Sequence, residues 1–224
     1  MTFDVMTLFP EMIENITDQS IIGRAKKAGI LTVRAHNIRD FSEDKHRRVD
    51  DTVCGGGFGM LMSAPPICRC YEHVKSLNTG SSLCIYLSPK GKVLTQKMAK
   101  QFLKYDNITL LCGHYEGVDQ RVIDSIVDAE ISIGDYVLTG GELPACIFID
   151  CVSRMIPGVL PDAECFEDES IASGLLEHPQ YTRPIEFNGM KVPDVLLSGD
   201  HSKIEKWRFE KALEITKKNR PDLL

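Results

Sequence analysis

Three short strings in this 224-residue chain combine glycine with groups able to hold or act on a ligand. Ser88-Pro89-Lys90-Gly91 follows one apolar run, and Gly113-His114-Tyr115-Glu116-Gly117 follows another. The third, Ile133 to Pro144, carries three glycines and two acids in a stretch too long for a tight turn. Glycine lets backbone approach a ligand closely. A strand followed by Thr139-Gly140-Gly141-Glu142 at the mouth of a helix can wrap a small organic ligand with backbone groups. As chemistry, this pattern names no particular ligand. A fourth string, Cys54 to Met60, holds four glycines but no Gly-Lys-Ser/Thr and no GxGxxG. It is either a flexible surface loop or a backbone that closes over a ligand or phosphate.

Charge is unevenly placed around these strings. The net charge is −6, yet residues 20–50 hold eight Lys/Arg against four Asp/Glu, with Lys45-His46-Arg47-Arg48 beside the glycine loop. Residues 113–170 hold thirteen Asp/Glu and only Arg121 and Arg154 as bases, which makes Arg154 conspicuous. Residues 201–224 are basic again, seven against four. Two basic ends around an acidic middle fit contact with a polyanion better than a lone patch of solvated charge would. At 43% hydrophobic and 26% charged the chain is not disordered. No apolar run approaches the roughly 20 residues of a membrane span. The start lacks a basic region followed by a long apolar one, so no secretory signal is expected. The expectation is a soluble cytoplasmic protein. The eight cysteines lie in apolar strings without a CxxC pair, and Cys68-Arg69-Cys70 is too close for a zinc knuckle. Reduced thiols and no metal are expected.

The elements that must position these strings follow from the apolar pattern. Strands are expected at Phe3 to Leu8, Leu31 to Ala35, Leu83 to Leu87, Ile108 to Cys112 and Ala129 to Ile133. Helices are expected from Pro10, over Ile21 to Ala28 with a stop at Gly29, and over Pro65 to Leu77, Thr95 to Leu103 and Val118 to Ile126. Short, non-alternating apolar strands between helices imply a mostly parallel sheet with helices on both faces. Such sheets bind ligands at the carboxyl ends of their strands. Turns at 88–91, 113–117 and 134–141 mark three such ends. From residue 156 the chain turns Pro, Gly and acid rich and loses period. The division expected is an α/β domain over 1–160, a linker over 161–174, and a small helical domain over 175–224 with Ile204, Trp207, Leu213 and Ile215 for its core.

The long strings resemble the bacterial tRNA (guanine-N1)-methyltransferase family, of the knotted SPOUT methyltransferase class. The resemblance rests on Ser88 to Gly91, Gly113 to Arg121, Ser132 to Pro144, Gly174 to Pro184 and Val195 to His201. The Asp4 to Pro10 stretch and the glycine loop also fit, so it runs essentially end to end. It implies methylation of the guanosine immediately 3′ of the tRNA anticodon with S-adenosylmethionine. It further implies a trefoil knot in the C-terminal part of the α/β domain, tRNA binding by the 175–224 domain, and a homodimer with shared active sites. Donor contacts are then expected from Tyr86, Leu87, Ser88, Pro89, Gly113, Tyr115 and Gly117. The third string would add Ile133, Gly134, Asp135, Tyr136, Val137, Leu138, Gly140, Gly141 and Pro144. Tyr115 and Tyr136 either pack on adenine or fill core.

The chemistry asks for specific groups. Guanine N1 carries a proton at neutral pH, and its removal pushes negative charge onto O6. A carboxylate base near N1 and a cation near O6 are required. The donor sulfonium already activates its methyl group, so no metal is needed for that. By resemblance Arg154 stabilises the guanine and Glu116 lies beside donor and base. The family places Asp five residues before the Gly-Leu-Leu triplet, where this chain has Glu169. Either Glu169 takes the proton or a one-residue shift brings in Asp168. His114 departs from the arginine common in some members and is expected as a polar strand-end residue without proton-transfer duty. The substitution at 169 keeps a second class open, a catalytically idle RNA-binding module on the same fold. A third reading, from residues alone, is a nucleotide-phosphate enzyme built on the glycine loop.

Overall fold

The computed structural model describes residues 1–161, 170–171 and 174–224. The chain divides into two compact units, Met1–Asp162 and Ala163–Leu224. The first is a mixed α/β unit around five parallel strands. These are β1 (Thr2–Thr7), β2 (Thr32–Asn37), β5 (Ser82–Val93), β6 (Asn107–Cys112) and β7 (Ala129–Ser132), in the order β2-β1-β6-β5-β7. β6 is buried at every position and β1 at all but its first, as expected of strands covered on both faces.

The helices supply that cover. On one face α1 (Pro10–Thr17) and α4 (Gln96–Phe102) pack on α6 (Glu142–Ser153), and Phe102 meets Phe148 with ring centroids 5.0 Å apart. On the other, α3 (Ala64–Leu77) packs with α5 (Gln120–Ile126), burying Ile67, Cys70, Val74 and Val122 against Met6, Tyr86 and Leu111. Local signals set the ends. Pro10 opens α1. Thr95 and Asp119 cap α4 and α5 with their side chains. Gly29, at φ +71°, follows α2 (Ser20–Lys27) where a side chain would be strained.

Two local features depart from expectation. The 88–91 segment does not end its strand. β5 runs on to Val93, pairing Ile85–Leu87 and then Lys92–Val93 with β7, so Ser88 to Gly91 is an excursion inside the strand. Gly91 makes this feasible, because a Cβ there would lie 2.4 Å from the backbone of Glu130 and Ile131. The glycine loop is the turn of a ribbon, β3 (Asp50–Thr52) against β4 (Met60–Met62), where the sequence shows no period.

The second unit is less helical than its composition suggests. It contains a hairpin, β8 (Glu186–Phe187) and β9 (Met190–Lys191), then the short α7 (Asp194–Leu197) and the long α8 (His201–Asn219). The buried residues of α8 are Ala212 and Thr216. Ile204, Trp207, Leu213 and Ile215 are only half-buried, because the small side chains face the interior. Thr216 is tied in by accepting the Leu176 N–H at 2.8 Å and donating to the Ala212 carbonyl.

Candidate active site

Because β6, β5 and β7 are neighbours, the segments after them meet. The β5 excursion, the 113–117 loop and the 133–141 segment enclose one cavity of about 400 Å³. That volume lies within the ordinary range for small-ligand sites, roughly 300–1,000 Å³. Every residue expected to touch a donor lines it except Asp135. Sequence reasoning passed over Leu61 and Glu130, which line it too. Glu130 carried a findable signal, since an acid in an apolar β7 is out of place unless it faces a ligand or water.

Glycine is required at the closest approaches. Gly141 N–H donates to the Gly113 carbonyl at 3.0 Å, and a Cβ on Gly141 would lie 2.6 Å from Cys112 Cα. A Cβ on Gly113 would come within 2.8 Å of the Tyr86 hydroxyl oxygen. The 133–141 segment therefore folds back onto the end of β6, with His114 and Gly140 paired as an antiparallel bridge. Its tip points outward, with Val137 81% exposed. Burial pushes the Tyr86 phenol up from its usual value, with Glu130 adding to the effect, so this wall stays neutral at physiological pH.

Beneath the segment lies a polar group that spacing could not reveal. Glu142, in the first turn of α6 and 2% exposed, accepts from Thr7 Oγ1 at 2.5 Å. Its other oxygen meets His114 Nε2 at 2.7 Å. A carboxylate at a helix N-terminus is favoured by the helix dipole. Thr7 and Glu142 are 135 residues apart, so only the fold joins them. His114 thus has a defined partner at the strand end.

Glu116 lines the cavity and is fixed from the other side. β4 is zipped to the 116–119 loop by Glu116 N–H to Met60 O at 3.0 Å, Met62 N–H to Gly117 O at 2.9 Å and Asp119 N–H to Met62 O at 2.9 Å. A Cβ on Gly59, at φ +91°, would sit 2.5 Å from Glu116 Oε1. The glycine loop thus abuts a carboxylate. That is the wrong neighbour for a phosphate cradle, and it counts against the nucleotide-phosphate reading. Gly55, Gly56 and Gly57 face open space and Phe58 is fully exposed.

The cations are placed less simply. Arg154 follows the last turn of α6, while the cavity touches Gly141 and Pro144 at its first. Twelve helical residues separate the two ends, about 18 Å at 1.5 Å per residue. Arg154 thus stands at the opposite end of α6 from the cavity. In the basic loop Arg47 pairs with Asp40 at 3.1 Å and Arg48 with Asp44 at 2.8 Å. The Arg48 guanidinium and nearby N–H groups hold the Asp44 carboxyl well below the usual range. Asp168 and Glu169 lie outside the described residues.

Among the described residues no helix is long and apolar enough to cross a membrane. The model of the family described as tRNA (guanine-1)-methyltransferase TrmD matches residues 1–224. Among relatives named tRNA (guanine-N(1)-)-methyltransferase, that of Ruminiclostridium cellulolyticum is 57% identical over 223 residues, covering 100% of this chain and 96% of its own length. That of Clostridioides difficile is 57% identical over 224 residues, covering 100% and 97%. That of Lachnospira eligens is 57% identical over 223 residues, covering 100% and 94%. With a parallel sheet whose strand ends close on one cavity, and a match from first residue to last, the chain belongs to the tRNA (guanine-1)-methyltransferase family.

Proposed function

We propose that this chain methylates N1 of the guanosine immediately 3′ of a tRNA anticodon, with S-adenosylmethionine as donor. The observation that carries the reading is the single cavity formed by the segments after β6 and β7 and the β5 excursion. Its backbone walls at 113–117 and 133–141 fit the donor, since glycines stand where a side chain would collide with the wall. The apolar residues Leu87, Ile133 and Leu138 would cover its adenine, and Glu116 and Glu130 would accept from its polar groups. When bound, S-adenosylmethionine supplies a methyl group made electrophilic by the sulfonium.

The chain's own residues prepare the acceptor. Glu169, or Asp168 if the register shifts, takes the guanine N1 proton and ends as the neutral acid. Arg154 balances the negative charge that then develops on O6. Glu116 orients the base beside the donor. Since Arg154 stands an α6 length from the cavity of its own copy, it serves the cavity of a second copy. The surface for that second copy is the apolar face of Met12 and Ile16 on α1 with Leu143 and Ile147 on α6, all 40–46% exposed. Spacing of four places each pair on one helix face. A two-fold arrangement then shares each site between subunits. By resemblance, the segment folding back over β6 is part of a trefoil knot. Such an enzyme works in the cytoplasm, on tRNA held by the basic segments.

The test is methyl transfer from S-adenosylmethionine to an unmodified tRNA transcript, read as N1-methylguanosine after digestion. Transfer should vanish when the guanosine 3′ of the anticodon is replaced by adenosine. A chain that binds the transcript but transfers nothing would overturn the proposal and restore the idle RNA-binding alternative.

A further inference from the structure

The second unit holds a concavity of its own, about 330 Å³, lined only by residues between His178 and Arg208. Its apolar floor includes Ile185, Leu196 and Ile204. Tyr181, half-exposed, forms a wall together with His178. Both rings are propped by Trp207, with centroids 6.3 and 6.2 Å away. A ring already held in place loses little freedom when a ligand stacks on it.

The charge of this concavity is distinctive. Arg183 and Arg208 line it, and its lining contains no Asp or Glu. Several other cations of the unit are engaged: Lys203 with Asp200 at 2.9 Å, Lys211 with Glu214 at 2.6 Å, and Arg220 with Asp222 at 2.7 Å. Lys191 meets Glu186 at 3.6 Å. Among the described residues, Arg183 and Arg208 have no carboxylate within ion-pair distance. Two unengaged guanidiniums over an apolar floor with a propped aromatic wall match a flat apolar body that carries anionic groups. Aromatic rings stack on any nucleobase, and guanidinium forks pair with phosphate.

We propose that this concavity holds one unpaired nucleotide of the tRNA. Its base lies against Tyr181 and the floor, and its phosphates lie at Arg183 and Arg208. The inference rests on the tRNA reading above and adds a second point of grip, one that selects an unstacked base rather than a stretch of backbone.

Trp207 is the sole tryptophan, so its fluorescence reports occupancy directly. An unmodified tRNA transcript should quench it. Tyr181→Ala should raise the tRNA Kd and KM about tenfold, leave kcat at saturating tRNA and donor affinity unchanged, and keep the salt dependence. Tyr181→Phe should restore binding. Arg208→Gln should weaken binding and reduce the salt slope by about one. Both side chains lie at the surface, so these variants fold. In a scan of transcripts carrying a single abasic position, one position should weaken the unaltered chain and leave Tyr181→Ala unaffected. If no position does so, or if Tyr181→Ala binds as tightly as the unaltered chain, the inference fails. In that case methylation by the unaltered chain persists. Absence of methylation by the unaltered chain would instead count against the transferase reading, and the Trp207 titration would still judge the concavity.

Discussion

Replacing Gly141 with alanine probes the closest backbone approach around the cavity. The added Cβ would lie 2.6 Å from Cys112 Cα and 2.9 Å from its Cβ, where ordinary contact is 3.4–4 Å. Cys112 is fully buried in β6, so no rotamer change relieves the collision. The 133–141 segment must retreat by roughly 1 Å, and overpacking of this kind costs about 1–3 kcal/mol. At about 2–4 °C per kcal/mol for a unit this size, melting of the first unit should fall by about 2–12 °C. The retreat also stretches the Gly141 N–H bond to the Gly113 carbonyl, which joins two cavity walls. A misplacement near 1 Å can lower turnover about 10²-fold. Scanning calorimetry reads the first effect, and titration with S-adenosylhomocysteine followed by single-turnover methyl transfer reads the second. Gly199→Ala lies in the second unit, and although its φ of +72° strains an added side chain there, it should leave donor binding alone. Unchanged melting and unchanged donor affinity in Gly141→Ala would refute the reasoning.

Glu142→Ala strands the Thr7 hydroxyl and His114, and should cost about 1–3 kcal/mol in denaturant unfolding. Glu142→Gln keeps an acceptor for Thr7 and should cost less; equal losses would show that the acceptor is not what matters. Glu169→Gln should leave donor and tRNA binding intact while cutting single-turnover transfer about 10²–10⁴-fold, and Asp168→Asn should cost less than about tenfold. The reverse pattern would make Asp168 the base. Mixing Arg154→Ala and Glu169→Ala subunits should restore one working site per heterodimer, provided the two residues come from different copies; no recovery would place both on one chain. Fully buried Asp4 would be raised by burial alone, but hydrogen bonds from His36, Arg34 and Asn78 outweigh that and hold its pKa low. Its stabilisation is therefore fully present above about pH 4 and is lost as pH falls through the lowered value. Acid unfolding followed by circular dichroism should become shallower in Asp4→Asn, and an unchanged acid limb would argue against the network.

What could be read from the sequence was what short stretches decide for themselves. β1 and β6 are apolar runs that any reading finds, and Pro10 and Gly29 mark helix limits by their own backbone constraints. The 113–117 and 133–141 walls were legible because a sheet of this class puts its ligand at strand ends. The continuation of β5 was not, since pairing of Lys92 and Val93 depends on where β7 lies. The β3–β4 ribbon was hidden because its stability comes from the 116–119 loop rather than from its own residues. Asn188-Gly189, by contrast, was a plain hairpin signal, both residues at positive φ, and a helical view of the second unit overlooks it. Arg154 stood out by charge, but its distance from the cavity needed the length of α6 to be seen.

The strand order also dictates how the chain must be made. β1 leaves the ribosome before the other strands, and β2 covers one of its edges some thirty residues later. Its other edge pairs with β6, whose last residue is Cys112. At about 5–20 residues per second, the second edge of the most buried early strand waits roughly 5–20 s for its partner. During that interval Phe3, Val5 and Met6 flank an open row of backbone donors and acceptors, the arrangement that recruits foreign strands. Long-range parallel pairing of this sort folds slowly. The cavity, which needs β5, β6 and β7 together, can form only after about two thirds of the chain has emerged.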